Sequence, residues 1–370
     1  MKDKSFLFTL LLGFLCGGCC SVRPVTPNAS PEAVGLLKYL HGISGKHTLT
    51  GQHNYPATKD TSTLQAAKAW GKTPAIFGQD FGFAAPGDKD AVAARLDIVA
   101  ECERQYAQGS IITLCWHAVP PTADEPITFR PKPGAATNRL ASVQGQLTDE
   151  QWNELITPGT ELYNHWCAQV DVIAGFLKQL QAAHVPVLWR PYHEMNGDWF
   201  WWGGRRGAHG TTVLYRQLFD RLVNYHHLNN LIWIWSVDRP SKPERQFADF
   251  FPDRNYFDVA ALDVYHSDFQ QSYYHDLLKL AGNKPMALAE VGPPPTLGVL
   301  EKQPRWTWWM LWAEMIDPGT AARKAMQTLV NDPRSLSRDD PEYIKGIAPV
   351  RIASGLAPLP LPPASRPPQN

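Results

Sequence analysis

Glu194 lies inside WRPYHEMNGDWFWWG, residues 189–203, where one carboxylic acid is surrounded by His193, Asn196, Asp198, Trp199, Trp201 and Trp202. The preceding run VPVLW is short, partly β-branched and bounded by proline and polar residues. It therefore reads as a buried strand, with Glu194 at or just past its C-terminal end. An acid placed there can give or take a proton. Three tryptophans beside Gly197, Gly203 and Gly204 make a poor core element; flat rings in a loop suit stacking on the C–H faces of sugars while polar neighbours meet hydroxyls. The pair His193-Glu194 is not half of a zinc-binding H-E-x-x-H helix, because position 197 is Gly197 rather than histidine. Neither a metal nor a cofactor is expected.

One acid that protonates a leaving oxygen needs a second carboxylate to attack, or to activate water, if a glycosidic bond is to be hydrolysed. Glu290 fits that requirement. In KPMALAEVGPPP it ends an apolar run and precedes Gly292 and three prolines, which fix the chain direction where the side chain would enter a cleft.

The elements that must hold two such acids follow from periodicity. Strand-like runs occur at 48–51, 74–78, 111–116, 185–189, 231–235, 257–262, 285–289 and 306–311, and helical periodicity fills most gaps, as in Leu162, Trp166, Val170, Ile173, Leu177 and Leu180. Eight strands alternating with helices predict an α/β fold, a (β/α)8 TIM barrel, in which the fourth and seventh strands lie nearly opposite. Polar or aromatic residues follow these runs as a ring: His53, Asp80, His117, His193 with Glu194, Asp238, Tyr265 with His266, Glu290, and Trp308 with Trp309. The insert at 118–164 is long enough to wall a cleft, and Thr148 to Gln151 within it carry a capping-box pattern.

Composition narrows the partners. The chain has 370 residues, 44% hydrophobic, 35 basic against 35 acidic, and 14 Trp. Zero formal charge gives no footprint for nucleic acid or an anionic membrane surface, so a neutral substrate is expected; the Trp content agrees with a polysaccharide partner, and the chain is expected to be a monomer. Residues 1–19 read as a signal peptide of lipoprotein type, with Lys2, Lys4, an apolar run and Gly18-Cys19, so membrane contact is expected only through a lipid on Cys19. Residues 20–40 read as a linker and N-terminal segment, 41–345 as the catalytic barrel, and 346–370 as a Pro-rich tail that does not pack. Cys115, in IITLCW, is expected as a small buried hydrophobe.

HEMNGDWFWWG, MALAEVG and WTWWMLW together resemble glycoside hydrolase family 26, the β-mannanase-rich family of a large retaining barrel clan. The likeness runs over roughly 44–332 and implies an endo-β-1,4-mannanase, with β-1,3-1,4-glucanase or β-1,3-xylanase as alternatives, and an inactive carbohydrate-binding surface lipoprotein as a second. It implies Glu194 as acid/base and Glu290 as nucleophile. His193 stands where most of the clan has asparagine, Trp199 matches an aromatic wall, Tyr265 a nucleophile-binding tyrosine and His117 a sugar-contacting histidine. Trp309 matches the platform after the eighth strand, with Trp308 as the alternative. Arg190, Asp80, His53 and Asn196 stay divided between sugar ligand and scaffold.

Overall fold

The computed structural model describes residues 22–86, 89–131, 142–317 and 319–362. Eight parallel strands form the barrel: β1 (Thr48–His53), β2 (Ile76–Asp80), β3 (Ile111–Trp116), β4 (Val187–Pro191), β5 (Leu231–Asp238), β6 (Val259–Tyr265), β7 (Met286–Gly292) and β8 (Trp306–Leu311). Closure is direct, since β8 pairs with β1 in the register Leu49 with Trp308 and Gly51 with Met310. A two-residue strand, Ser335–Leu336, adds to the outside of β1. The (β/α)8 barrel expected from the alternating periodicities is thus the fold observed.

The helices are α1 (Pro31–Ile43), α2 (Thr61–Trp70), α3 (Arg95–Ala107), α4 (Asp149–Leu155), α5 (Glu161–Ala182), α6 (Thr211–Phe219), α7 (Gln271–Ala281), α8 (Leu297–Lys302), α9 (Thr320–Asn331) and α10 (Pro341–Ala353). Alternation along each strand divides the core in two. Inward residues such as Leu49, Ile76, Ile111, Leu188, Ile234, Ala261 and Trp308 form one buried cluster. Outward residues such as Phe77, Ile112, Trp189, Trp233, Trp235 and Trp309 form the other, against the surrounding helices.

Two expected boundaries cut through helices. Residue 40 falls within α1 and residue 345 within α10. Leu36, Leu37 and Leu40 of α1 and Tyr343, Ile347 and Val350 of α10 are buried in the same cluster as the barrel interior. Ser30 caps α1 by accepting from the Ala33 N–H, and Pro31 occupies the first turn, where its missing N–H costs nothing. Part of the tail expected to stay unpacked is also held: Arg351 donates to the Ala357 carbonyl and Leu359 packs against the interior cluster. Prolines there break helix without preventing apolar contact. The expected signal, residues 1–19 with Cys19, lies outside the described residues.

The insert after β3 carries α4, and its capping box forms as the pattern demands. Thr148 Oγ1 accepts from the Gln151 N–H at 3.2 Å, and Gln151 Oε1 accepts from the Thr148 N–H at 2.9 Å. Phe129 from the same insert reaches the mouth of the barrel.

Candidate active site

Glu290 owes its direction to a β-bulge. Along β7, Ala287 and Ala289 face the interior while Leu288 and Val291 face the helices, so strict alternation would turn Glu290 outward. Instead the β6–β7 register shifts between Leu262 paired with Leu288 and Asp263 paired with Glu290. The extra residue re-aims the carboxyl toward the interior, the role bulges commonly play beside active sites. There Arg190 Nη2 donates to Glu290 Oε2 at 2.7 Å and Tyr265 Oη donates to Oε1. Arg190, fully buried, spends its other arm on Asp263 Oδ2 at 2.8 Å, and Ser236 donates to Asp263 Oδ1 at 3.0 Å.

Glu194 is held differently. Its backbone φ is +51°, in the left-handed region that costs a non-glycine residue on the order of 1 kcal/mol or more. The turn is closed by the Gly197 N–H bonding to the Glu194 carbonyl at 2.8 Å. Two residues on, Asn196 clasps β5: its Nδ2 donates to the Asp238 carbonyl at 2.7 Å, and its Oδ1 accepts from the Asp238 N–H at 2.7 Å. Asn196 is therefore scaffold. The only side chain that bonds the Glu194 carboxyl among the described residues is Trp199, whose Nε1 donates to Oε2 at 2.6 Å. Gly197 makes room for that ring, since a Cβ there would stand 2.4 Å from it. Burial first, then the charges of Glu290, Asp263 and Asp238, push the Glu194 carboxyl well above its ordinary range, against the pull of the Trp199 bond.

Histidines complete the floor. Asp80 Oδ2 bonds His117 Nδ1 at 2.7 Å, while Oδ1 accepts from the backbone N–H groups of Gly82 and His117. Burial raises the Asp80 pKa, but His117 and these N–H bonds outweigh it and bring the net shift below the usual range. Asp80 thus orients His117 rather than touching the cavity. Ligand atoms of Asp80, Cys115 and His117 lie within 4.8 Å of one another. The ring nitrogen is spent on Asp80, however, and burial keeps the Cys115 thiol protonated, so the trio reads as a hydrogen-bonded support. His193 stacks edge-on to His117 at 4.5 Å between centroids, and burial followed by the charge of Arg190 holds it neutral.

His117, His193, Glu194, Trp199, Asp238, Arg239, Arg245, Tyr265, Glu290 and Trp312 line one cavity of about 380 Å³ at the C-terminal mouth of the barrel. His117, Phe129 and Trp312 are shared with a neighbouring cavity of about 430 Å³ that adds Tyr55, Phe83, Arg130 and Glu314. Among the described residues the two adjoining cavities present the carboxyl groups of Glu194, Asp238, Glu290 and Glu314 together with aromatic rings.

A family model for glycosyl hydrolase family 26 matches residues 25–340. The chain belongs to glycosyl hydrolase family 26. It is similar to GH26A of a Muricauda species, with 41% identity, a TM-score of 0.77, and coverage of 85% of this chain and 98% of that one. A family 26 β-(1,4)-mannanase of Podospora anserina is 28% identical with a TM-score of 0.68, over 86% of this chain and 68% of the other. A mannan endo-1,4-β-mannosidase of Thermothelomyces thermophilus is 32% identical over 78% of this chain. The chain spans 56% of that relative and 44% of one from Piromyces, about half their length.

Within this family 26 barrel, the cavity brings together Glu194, Glu290, His117, His193, Trp199 and Tyr265, but neither Trp309 nor Trp308. Trp309 faces outward onto Trp70 of α2, 5.6 Å between centroids, and Trp308 faces the interior below the cavity; both are fully buried. The ring after β8 is Trp312, which alternation from Trp308 and Met310 turns inward. His53 does not line the cavity; it lies beneath Trp312, stacked at 3.7 Å and 14°. Burial pushes His53 down to about 3, so it serves as a neutral underlay. Trp201 and Trp202 are also core, donating to the Ala118 and His193 carbonyls, whereas Trp199 and Phe200 line the cavity. Asp263, Arg245 and Phe129 carried no signal of their own in the sequence. Arg239 follows the strand-end Asp238, and that adjacency is its one signal in the sequence.

Proposed function

We propose that this chain is an endo-β-1,4-mannanase that cleaves by double displacement, with Glu290 as nucleophile and Glu194 as acid and then base. One observation carries the proposal: of the three carboxyl groups that line the cavity, Glu194 and Glu290 stand in opposite hydrogen-bonding settings. Glu290 receives donors on both oxygens, from Arg190 and Tyr265. Glu194 has one donor and a pKa raised by burial and by the charge on Glu290. The acid kept protonated by its setting suits proton donation, and the carboxylate held between two donors suits attack.

Glu290 attacks C1 of the sugar, the glycosidic C–O bond breaks, and the leaving oxygen takes the proton of Glu194. The ester consumes the negative charge on Glu290 and thereby removes one cause of the raised Glu194 pKa. Glu194, now a carboxylate, takes a proton from water as the water oxygen attacks C1 and Glu290 departs. Both displacements invert, so the anomeric configuration is retained. The mannose assignment is supported by the names of relatives, mannan endo-1,4-β-mannosidases of Thermothelomyces thermophilus and Bacillus subtilis.

Incubation with mannan, glucomannan, mixed-linkage glucan and β-1,3-xylan tests the substrate, and NMR of the first product anomer tests retention. Mannan cleavage that vanishes in Glu290→Ala, with β product first, is expected. An α product first would overturn the mechanism, and activity confined to another glycan would overturn the mannose assignment. Export, lipid anchoring at Cys19 and a monomeric state belong to the same proposal. Export and anchoring are supported by Lys2, Lys4, the apolar run and Gly18-Cys19. Mass spectrometry of the envelope-bound protein, with Cys19→Ala as control, tests the anchor.

A further inference from the structure

We propose that the Asp238 carboxylate binds hydroxyls of the sugar that departs with the proton of Glu194, as the polar anchor of the leaving-group subsite. The inference rests on the retaining-mannanase proposal above and adds a residue to it.

Asp238 is the last residue of β5, the strand beside the one that delivers Glu194. Its position relative to Glu194 is fixed, because Asn196, two residues after the acid, clasps the Asp238 main chain through both its N–H and its carbonyl. The side chain is only 5% exposed, yet it lines the same cavity as Glu194. Among the described residues its hydrogen-bond partners are confined to the next residue: Arg239 Nε reaches Oδ1 at 3.5 Å, and the Arg239 backbone N–H also turns to the carboxyl. Arg239 is itself committed elsewhere, to the Tyr265 carbonyl at 3.1 Å and to Asp268.

A carboxylate offers about four acceptor positions. Buried with most of them unfilled, it carries a desolvation cost that a donor from the cavity would offset. The cost is visible in Asp238 itself, which burial raises to about 6. The other acids of the cavity lack this spare capacity toward a sugar, since Glu290 holds Arg190 and Tyr265, and Glu194 must act on the leaving oxygen. Adjacent hydroxyls of one sugar supply the missing donors.

The side of the groove follows from the loops. Asp238, Ser241 and Arg245 come from β5 and the segment after it, and Trp199 from the segment after β4. Arg245 lies over the Trp199 ring at 4.8 Å, and that ring bonds Glu194. This wall is therefore built around the acid. Trp312 and His117 belong to the other end, shared with the cavity lined by Tyr55 and Phe83. The proton of Glu194 goes to the leaving oxygen, so the leaving sugar lies along the Asp238 wall.

Asp238→Asn and Asp238→Ser keep the main-chain clasp and remove the charged acceptor. Each is compared with the wild type on mannopentaose and on 2,4-dinitrophenyl β-mannobioside, whose aglycone brings no hydroxyls and needs little protonation. The expected result is a loss in kcat/KM of about 10- to 100-fold on mannopentaose, the scale of a hydrogen bond to a charged group, with the aryl substrate within about twofold of wild type. Equal losses on both substrates, or no loss on mannopentaose, would overturn the assignment. A wild type inactive on both mannosides would instead overturn the mannanase proposal, a result seen before any variant is compared.

Discussion

Arg190 Nη2 lies 2.7 Å from Glu290 Oε2, so β4 and β7 are joined through the barrel interior by a buried ion pair, with Asp263 on the guanidinium's other arm. A planar guanidinium holds its donors in a rigid fork that fits two carboxylates lying in different directions, a geometry that a compact ammonium on a flexible stem does not reproduce. Arg190→Leu would leave two buried acids without their counter-charge. It is expected to lower stability by about 3–5 kcal/mol, the usual result of breaking a buried pair from one side. Arg190→Lys should fold but lose kcat with little change in KM. Denaturant unfolding and mannan kinetics check both, and wild-type unfolding of Arg190→Leu would show that the pair does not hold the barrel.

The raised pKa of Glu194 has a sign that can be read twice. In catalysis, the alkaline limb of kcat/KM should fall well above the ordinary carboxylate range, where the acid loses its proton. In stability, the folded protein holds that proton more tightly than the unfolded chain does. The contribution is present at pH below the unfolded carboxyl pKa and is lost as pH rises through the folded value. Glu194→Gln should therefore resist denaturant better than wild type at neutral and alkaline pH, the gap closing toward the ordinary carboxylate range. A gap that widens on acidification would contradict the assignment of the proton.

Tyr265 donates to Glu290 Oε1, and burial together with the Glu290 charge drives the phenol pKa far up, so the proton stays on the tyrosine. Tyr265→Phe removes one hydrogen bond to a charged group and little volume. A drop of about 10- to 100-fold in kcat is expected, with the unfolding midpoint nearly unchanged. Steady-state rates beside a thermal melt separate the two effects; a melt that falls while kcat holds would make Tyr265 a structural residue.

Much of this site was legible because a barrel places its chemistry at strand ends, and the strand ends could be found. The runs 111–116 and 306–311 match β3 and β8 in full, and the others miss by at most three residues at either end. Alternation then carried Glu194, His117 and Tyr265 to the mouth. Glu290 reached the right place for a reason the sequence does not carry, since the bulge beside it has no residue signature. Arg190 was visible as a neighbour of the acid but not as the partner of Glu290, one hundred residues away in sequence. The helix α10 is masked in the sequence because Pro349 lies inside it and prolines follow it.

The aromatic platform shows how a one-residue ambiguity in a strand becomes a testable difference. In WTWWMLW the tryptophans are Trp306, Trp308, Trp309 and Trp312, and their composition alone does not say which one ends the strand. The structure resolves it by parity: Trp308 and Met310 point inward, Trp309 points out to Trp70, and Trp312 stands inward above the strand's last residue. Trp312 is half-buried, with one face on neutral His53 and a place in both cavities of the groove. Trp312→Ala should raise KM for mannan by about tenfold, the scale of one lost aromatic stack, and shift the melt little. Trp309→Ala empties a fully buried site and should cost about 3–5 kcal/mol in unfolding, leaving KM close to wild type in the folded fraction. His53→Ala should resemble a mild Trp312→Ala, because it takes away the ring on which the platform rests, while His53→Phe restores the stack and should restore KM. If Trp309→Ala raised KM and Trp312→Ala did not, the parity of β8 would be wrong and the platform would belong to the strand itself.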